Sequence, residues 1–69
     1  MKWHKGPPPE IGWWPASLVQ DHQCIRWWNG KYWSVGAIPE DSAEKAAKFA
    51  SKRSSHSTGW IQWTDRWWL

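Results

Sequence analysis

The chain has 69 residues, a net charge of +3, a single cysteine and ten tryptophans, at 3, 13, 14, 27, 28, 33, 60, 63, 67 and 68. The lone Cys24 excludes an internal disulfide. No apolar run approaches the roughly 18 residues that a membrane-crossing helix needs. A domain this short buries a modest fraction of its surface, so its cohesion has to come from the indoles, each of which removes about 150–250 Å² from water when buried.

The opening Met1-Lys2-Trp3-His4-Lys5-Gly6, broken at once by Pro7-Pro8-Pro9, does not read as a signal peptide. Together with the unpaired thiol, it reads as a soluble, cytoplasmic chain with no membrane partner. Residues 1–12 form an extended arm, because three consecutive prolines hold φ near the polyproline II value. Folding back onto the domain's own tryptophans is the simplest placement for it. Residues 13–69 form one domain. Trp13 to Val19 reads as its first strand, confined to an edge or to a start after the proline because Pro15 has no N–H for a ladder.

Cys24–Trp28 and Lys31–Val35 flank Asn29-Gly30, the preferred pair for a two-residue type I′ hairpin turn. That turn pairs Trp28 with Lys31, Trp27 with Tyr32 and Arg26 with Trp33. One face then carries Cys24, Arg26, Trp28, Trp33 and Val35, and the other Ile25, Trp27, Tyr32 and Ser34. Aromatic rings on both faces depart from the alternation of a half-solvated hairpin, so each face is either covered or used for binding.

A helix follows Pro39, with Asp41 and Glu44 as an acidic variant of a capping box. Its Ala43, Ala46, Ala47 and Ala50 share one side, suited to close approach against a sheet filled with indoles, while Lys45, Lys48 and Lys52 take the other side. After the Ser54–Gly59 loop, Trp60–Thr64 reads as the last strand, with Ile61 and Trp63 on one face, and Trp67-Trp68-Leu69 as a tail. The fold class is α+β, a small antiparallel sheet of three to four strands with one helix on one face, in β-β-β-α-β order.

The Pro-Pro-x-x-Gly-Trp opening over 8–13, Arg26-Trp27-Trp28-Asn29-Gly30-Lys31-Tyr32-Trp33 and Trp60-Ile61-Gln62-Trp63 resemble small uncharacterised tryptophan-rich proteins of bacteriophages and prophages. The resemblance implies a phage accessory protein acting in the cytoplasm of a bacterial host, and it carries no functional residues with it.

No cofactor motif is recognisable. His22 and Cys24, with His4 and His56, lack the paired spacings of zinc sites. Asp21, His22 and Cys24 lie side by side in the chain, whereas catalytic triads converge from separate elements, so the chain reads as non-enzymatic. Ten indoles are too many for so small a core, and a surplus outside marks a contact surface. The candidates are Trp28, Trp33, Trp67 and Trp68, flanked by Arg26, Lys31 and Arg66. Another protein is the expected partner. Single-stranded nucleic acid, stacked on the same rings and held by the same cations, is the alternative.

Overall fold

The computed structural model describes residues 2–69; Met1, the first residue of the expected arm, lies outside them. Strands β1 (His4–Lys5), β2 (Gly12–Ser17) and β3 (Ile25–Trp28) precede helix α1 (Ala43–Ala50), and a single 3-10 turn (Thr58–Trp60) leads into β4 (Gln62–Trp63). The four strands make one antiparallel sheet in the order β1-β4-β2-β3. This is the expected α+β class in the expected β-β-β-α-β order, although the three leading strands are not the three expected. The strand preceding β2 is new, because the arm contributes β1, which pairs His4 with Trp63 and Lys5 with Gln62.

Pro15 does not mark an edge. It stands within β2, between β3 and β4. Opposite it, Ile25 turns both its N–H and its carbonyl away to Ala37, each at 2.8 Å, so that side of β2 asks nothing of Pro15. On the β4 side the Pro15 carbonyl accepts from the Thr64 N–H at 3.1 Å, and only the reciprocal bond is forfeited.

The Asn-Gly turn is also built differently from expectation. Gly30 takes φ +94° while Asn29 does not enter the left-handed region, so the two-residue type I′ geometry is absent. The Asn29 carboxamide oxygen instead accepts from the N–H groups of Lys31 and Tyr32, both at 2.8 Å, which lengthens the loop and moves the pairing to Trp28 opposite Trp33. A two-residue shift keeps side chains on their faces, so Trp28 and Trp33 still lie together.

Beyond that pair, Val35 and Gly36 oppose Arg26 alone, forming a bulge that replaces the expected regular strand over 31–35. Ser34 adapts to it. Its hydroxyl accepts from the Trp27 N–H at 2.8 Å, while its carbonyl accepts from Arg26 Nη1 at 3.0 Å.

Strand alternation sends Trp14, Ala16, Arg26, Trp28 and Trp63 to one face, and Trp13, Pro15, Ile25 and Trp27 to the other. The first face holds the core: Trp14, Ala16, Trp28, Trp33 and Ile61, with Trp63 packed against them. The arm covers it. Pro8 is buried, the Trp63 indole N–H donates to the Gly6 carbonyl at 2.9 Å, and the Trp14 indole N–H donates to the Glu10 carbonyl at 3.0 Å. These two bonds bracket Pro7-Pro8-Pro9. The Thr64 hydroxyl adds a third tie, to the Lys2 carbonyl at 2.6 Å.

Helix α1 begins one residue later than expected from the Asp41–Glu44 pair. Ser42, in extended conformation, is the N-cap and its hydroxyl accepts from the Lys45 N–H at 3.2 Å. Asp41 serves the preceding turn instead, accepting from the Ile38 N–H at 3.0 Å and pairing with Lys45 at 3.2 Å. None of the helix residues is fully buried. Its alanines nevertheless look toward the second face of the sheet, where they line a cleft with Trp13 and Trp27.

Candidate functional site

The second face is where aromatic surface stays open. Trp13 lies opposite Trp27 across β2 and β3, and their rings meet edge to face at 5.5 Å. Beside them the C-terminal turn places Trp67 and Trp68, also edge to face at 5.1 Å. The Trp67 indole N–H donates to the His22 carbonyl at 2.8 Å, which fixes the tail against the loop that leads into β3. Trp13, Ile25, Pro39, Trp67 and Trp68 then wall a cleft of about 270 Å³. On the other side of Trp13 a second cleft of about 350 Å³ runs between Trp27 and the alanine side of α1. Trp13 is the ring common to both, so the two form one apolar track across the face.

The expected contact residues divide between the two faces. Trp67 and Trp68 are 43% and 39% exposed and line the first cleft. Trp28 and Trp33 are 4% and 1% exposed, so neither presents a ring to a partner. Their face is the one that the arm and the core occupy, and their rings meet there at 5.0 Å, tilted by 56°. The sequence reading of Trp28 and Trp33 as surface is therefore corrected.

The candidate cations are also largely committed. The Arg26 guanidinium donates to the Ala16 carbonyl (3.2 Å), the Ser34 carbonyl (3.0 Å) and the Ser54 hydroxyl (3.2 Å). Arg66 lies 3.9 Å above the Trp14 ring, donates to the Trp13 carbonyl at 2.9 Å and pairs with Glu10 at 2.7 Å. Both act as buttresses beneath the sheet. Lys31 remains exposed on the hairpin loop.

Sequence reasoning missed Trp13, Ile25, Trp27 and Pro39 as site residues. The signal was present in the aromatic alternation of the hairpin, which assigned Ile25 and Trp27 to the face opposite Trp28. What was lacking was the β2–β3 register that sets Trp13 against Trp27.

The chemistry of the track is that of donors without acceptors. The indole N–H groups of Trp14, Trp63 and Trp67 are bonded, and that of Trp33 is buried without a partner, whereas those of Trp13, Trp27 and Trp68 donate to no protein acceptor among the described residues. No carboxylate or lysine lines either cleft. Elsewhere, burial pushes the Cys24 thiol up from its ordinary value, with Asp21 adding to the rise and Arg26 opposing it, so the sulfur is held as a thiol. Among the described residues, no three His, Cys, Asp or Glu side chains come together as a metal site, and no helix is long and apolar enough to cross a membrane. Comparison with protein-family models, with curated proteins and with solved structures found no match.

Proposed function

We propose that this chain is a non-enzymatic binding module that contacts another protein through the aromatic track of its second face, in the manner of a small phage accessory protein working in the cytoplasm of a bacterial host. The observation that carries the reading is the exposure of Trp67 and Trp68 beside Trp13 in a cleft walled by apolar side chains. Large aromatic anchors in a concave apolar setting are what dominate protein contacts energetically. Stacking of nucleic acid needs cations beside the rings, and no lysine or arginine lines the two clefts, Arg26 and Arg66 being spent inside the fold and Lys31 lining neither. The state of Cys24 supports the non-enzymatic part, since a protonated thiol is a poor nucleophile.

Peptide display against the immobilised chain tests the reading. Selected peptides that bind the native chain and lose binding to Trp68→Ala support it. Failure to select any peptide that depends on Trp68, or tight oligonucleotide binding that weakens steeply with salt, refutes it.

A further inference from the structure

We propose that the track takes a proline-rich segment of a partner protein in the polyproline II conformation, with a basic residue at the end that meets Trp67 and Trp68. The proposal rests on the protein-binding reading above and specifies the partner's chemistry. Both backbone edges of β3 are already used, one by β2 and the other by residues 33–37. A partner strand laid on this face would therefore find no ladder to join, and its own N–H groups would go unpaired. A proline-rich segment has no N–H groups to satisfy, offers carbonyls in every direction and presents flat rings. The track matches it in chemistry: the indole donors of Trp13, Trp27 and Trp68 are unspent, acceptor side chains are missing from its walls, and the indoles supply flat apolar surface for the proline rings.

The fold already shows this chemistry within its own chain. On the opposite face Trp14 and Trp63 grip the arm by indole N–H bonds to the carbonyls that bracket Pro7-Pro8-Pro9. Charge sets the end at Trp67 and Trp68 apart from the end at Trp27, where Lys52 and Arg53 stand beside the ring. The chain neighbours of the cleft residues include Glu40 next to Pro39, Asp65 two positions before Trp67, and Asp21 next to the His22 carbonyl that holds Trp67. All three are exposed, and the two arginines that adjoin residues of this cleft in sequence, Arg26 and Arg66, are turned to the other face.

The experiment titrates isotope-labelled full-length chain with a blocked oligoproline peptide, with two versions of it carrying arginine at one terminus or the other, and with an alanine-based peptide of equal length. Each tryptophan gives its own indole N–H signal. The expected result is movement of the Trp13, Trp27 and Trp68 signals while Trp14, Trp33 and Trp63 stay in place. One of the two arginine peptides should bind about threefold or more tighter than the plain one at low salt, and the alanine peptide more weakly than any of them. Trp68→Ala should weaken binding about tenfold. Trp68→Phe, which keeps an aromatic ring and removes the donor, should weaken it measurably, with an unchanged Trp33 signal certifying the fold. Signals that do not move, that move only at Trp14 and Trp63 through displacement of the arm, or that respond equally to the alanine peptide overturn the proposal. Should display return Trp68-dependent peptides without proline, this inference falls while the protein-binding reading stands.

Discussion

Gly36 sits in the bulge beside β3 with its open side against Cys24. A methyl group placed there would lie 2.8 Å from Cys24 Sγ, inside van der Waals contact, while its next neighbours, Arg26 Nη2 and Cζ, would be at 3.6 and 3.7 Å. Backbone strain does not enter, because Gly36 is not in the left-handed region. Gly36→Ala should therefore destabilise by overpacking, which costs about 1–3 kcal/mol; the thiol has one rotor with which to retreat, so the lower half of that range applies. Cys24→Ala alone removes a half-buried sulfur at a cost of about 1 kcal/mol or less. In the double variant the clash disappears, and the alanine at 36 also lowers the entropy of the unfolded chain, a gain of about 0.4–1 kcal/mol. The two changes should thus be coupled by about 1–2 kcal/mol, with the double variant as stable as Cys24→Ala or more so. In urea, with a slope of about 1 kcal/mol per molar for so small a protein, that is a difference of about 1–2 M in the effect of Gly36→Ala between the two backgrounds. Additivity within about 0.5 kcal/mol would refute the packing account of the bulge.

Arg66→Lys should lower stability by about 1–3 kcal/mol, read as a fall in Tm, because lysine cannot cover the Trp14 ring while bonding the Trp13 carbonyl and Glu10 together. Glu10→Gln should cost about 0.5 kcal/mol or less, the carboxylate being mostly exposed; equal losses from the two changes would contradict the assignment. Ser42→Ala removes the acceptor for the Lys45 N–H and should cost about 0.5–2 kcal/mol with a loss of helical circular dichroism, whereas a larger effect of Asp41→Ala on helix content would restore Asp41 as the cap. The Ile38 N–H, with Lys45 beside it, holds the Asp41 carboxyl below its ordinary pKa. Its folded pKa is the lower of the two, so its contribution is present above the unfolded value and is lost as pH falls through the folded one. Stability measured from pH 5 downward should decline less in Asp41→Asn than in the native chain, and a carboxyl titrating at or above the ordinary range by NMR would reverse the sign.

Some of this architecture was readable from residue types alone. The helix was visible because alanine spacing and a polar cap site are local signals, and the shared face of Ile61 and Trp63 followed from strand alternation. The hairpin was half visible. Asn29-Gly30 announced a turn, but the Asn29 side chain bonds its own loop, and that choice moved the register by two residues without changing faces. The errors came from long-range geometry. Pro15 reads as an edge residue until the pairing of Ile25 with Ala37 and the single bond from Thr64 show why an interior position tolerates it. Trp28 and Trp33 read as surface because nothing in a list of residues says which face the arm will cover. Trp60 was assigned to a strand and instead ends a 3-10 turn, 73% exposed. Exposed indoles at Trp67 and Trp68 were legible as surplus, while their neighbours Trp13 and Trp27 needed the register of β2 with β3.

The grip of Trp14 and Trp63 on the first segment runs through main-chain oxygens, which every residue type supplies. The carbonyl at position 10 could thus come from any residue, although the carboxylate there also meets Arg66, while position 6, at φ +88°, favours glycine, and the two rings are not interchangeable with any side chain lacking a donor. Drift among descendants of this gene should accordingly be lopsided, freer at exposed Pro7 and Pro9 than at Gly6, at buried Pro8 or at the rings that hold the segment.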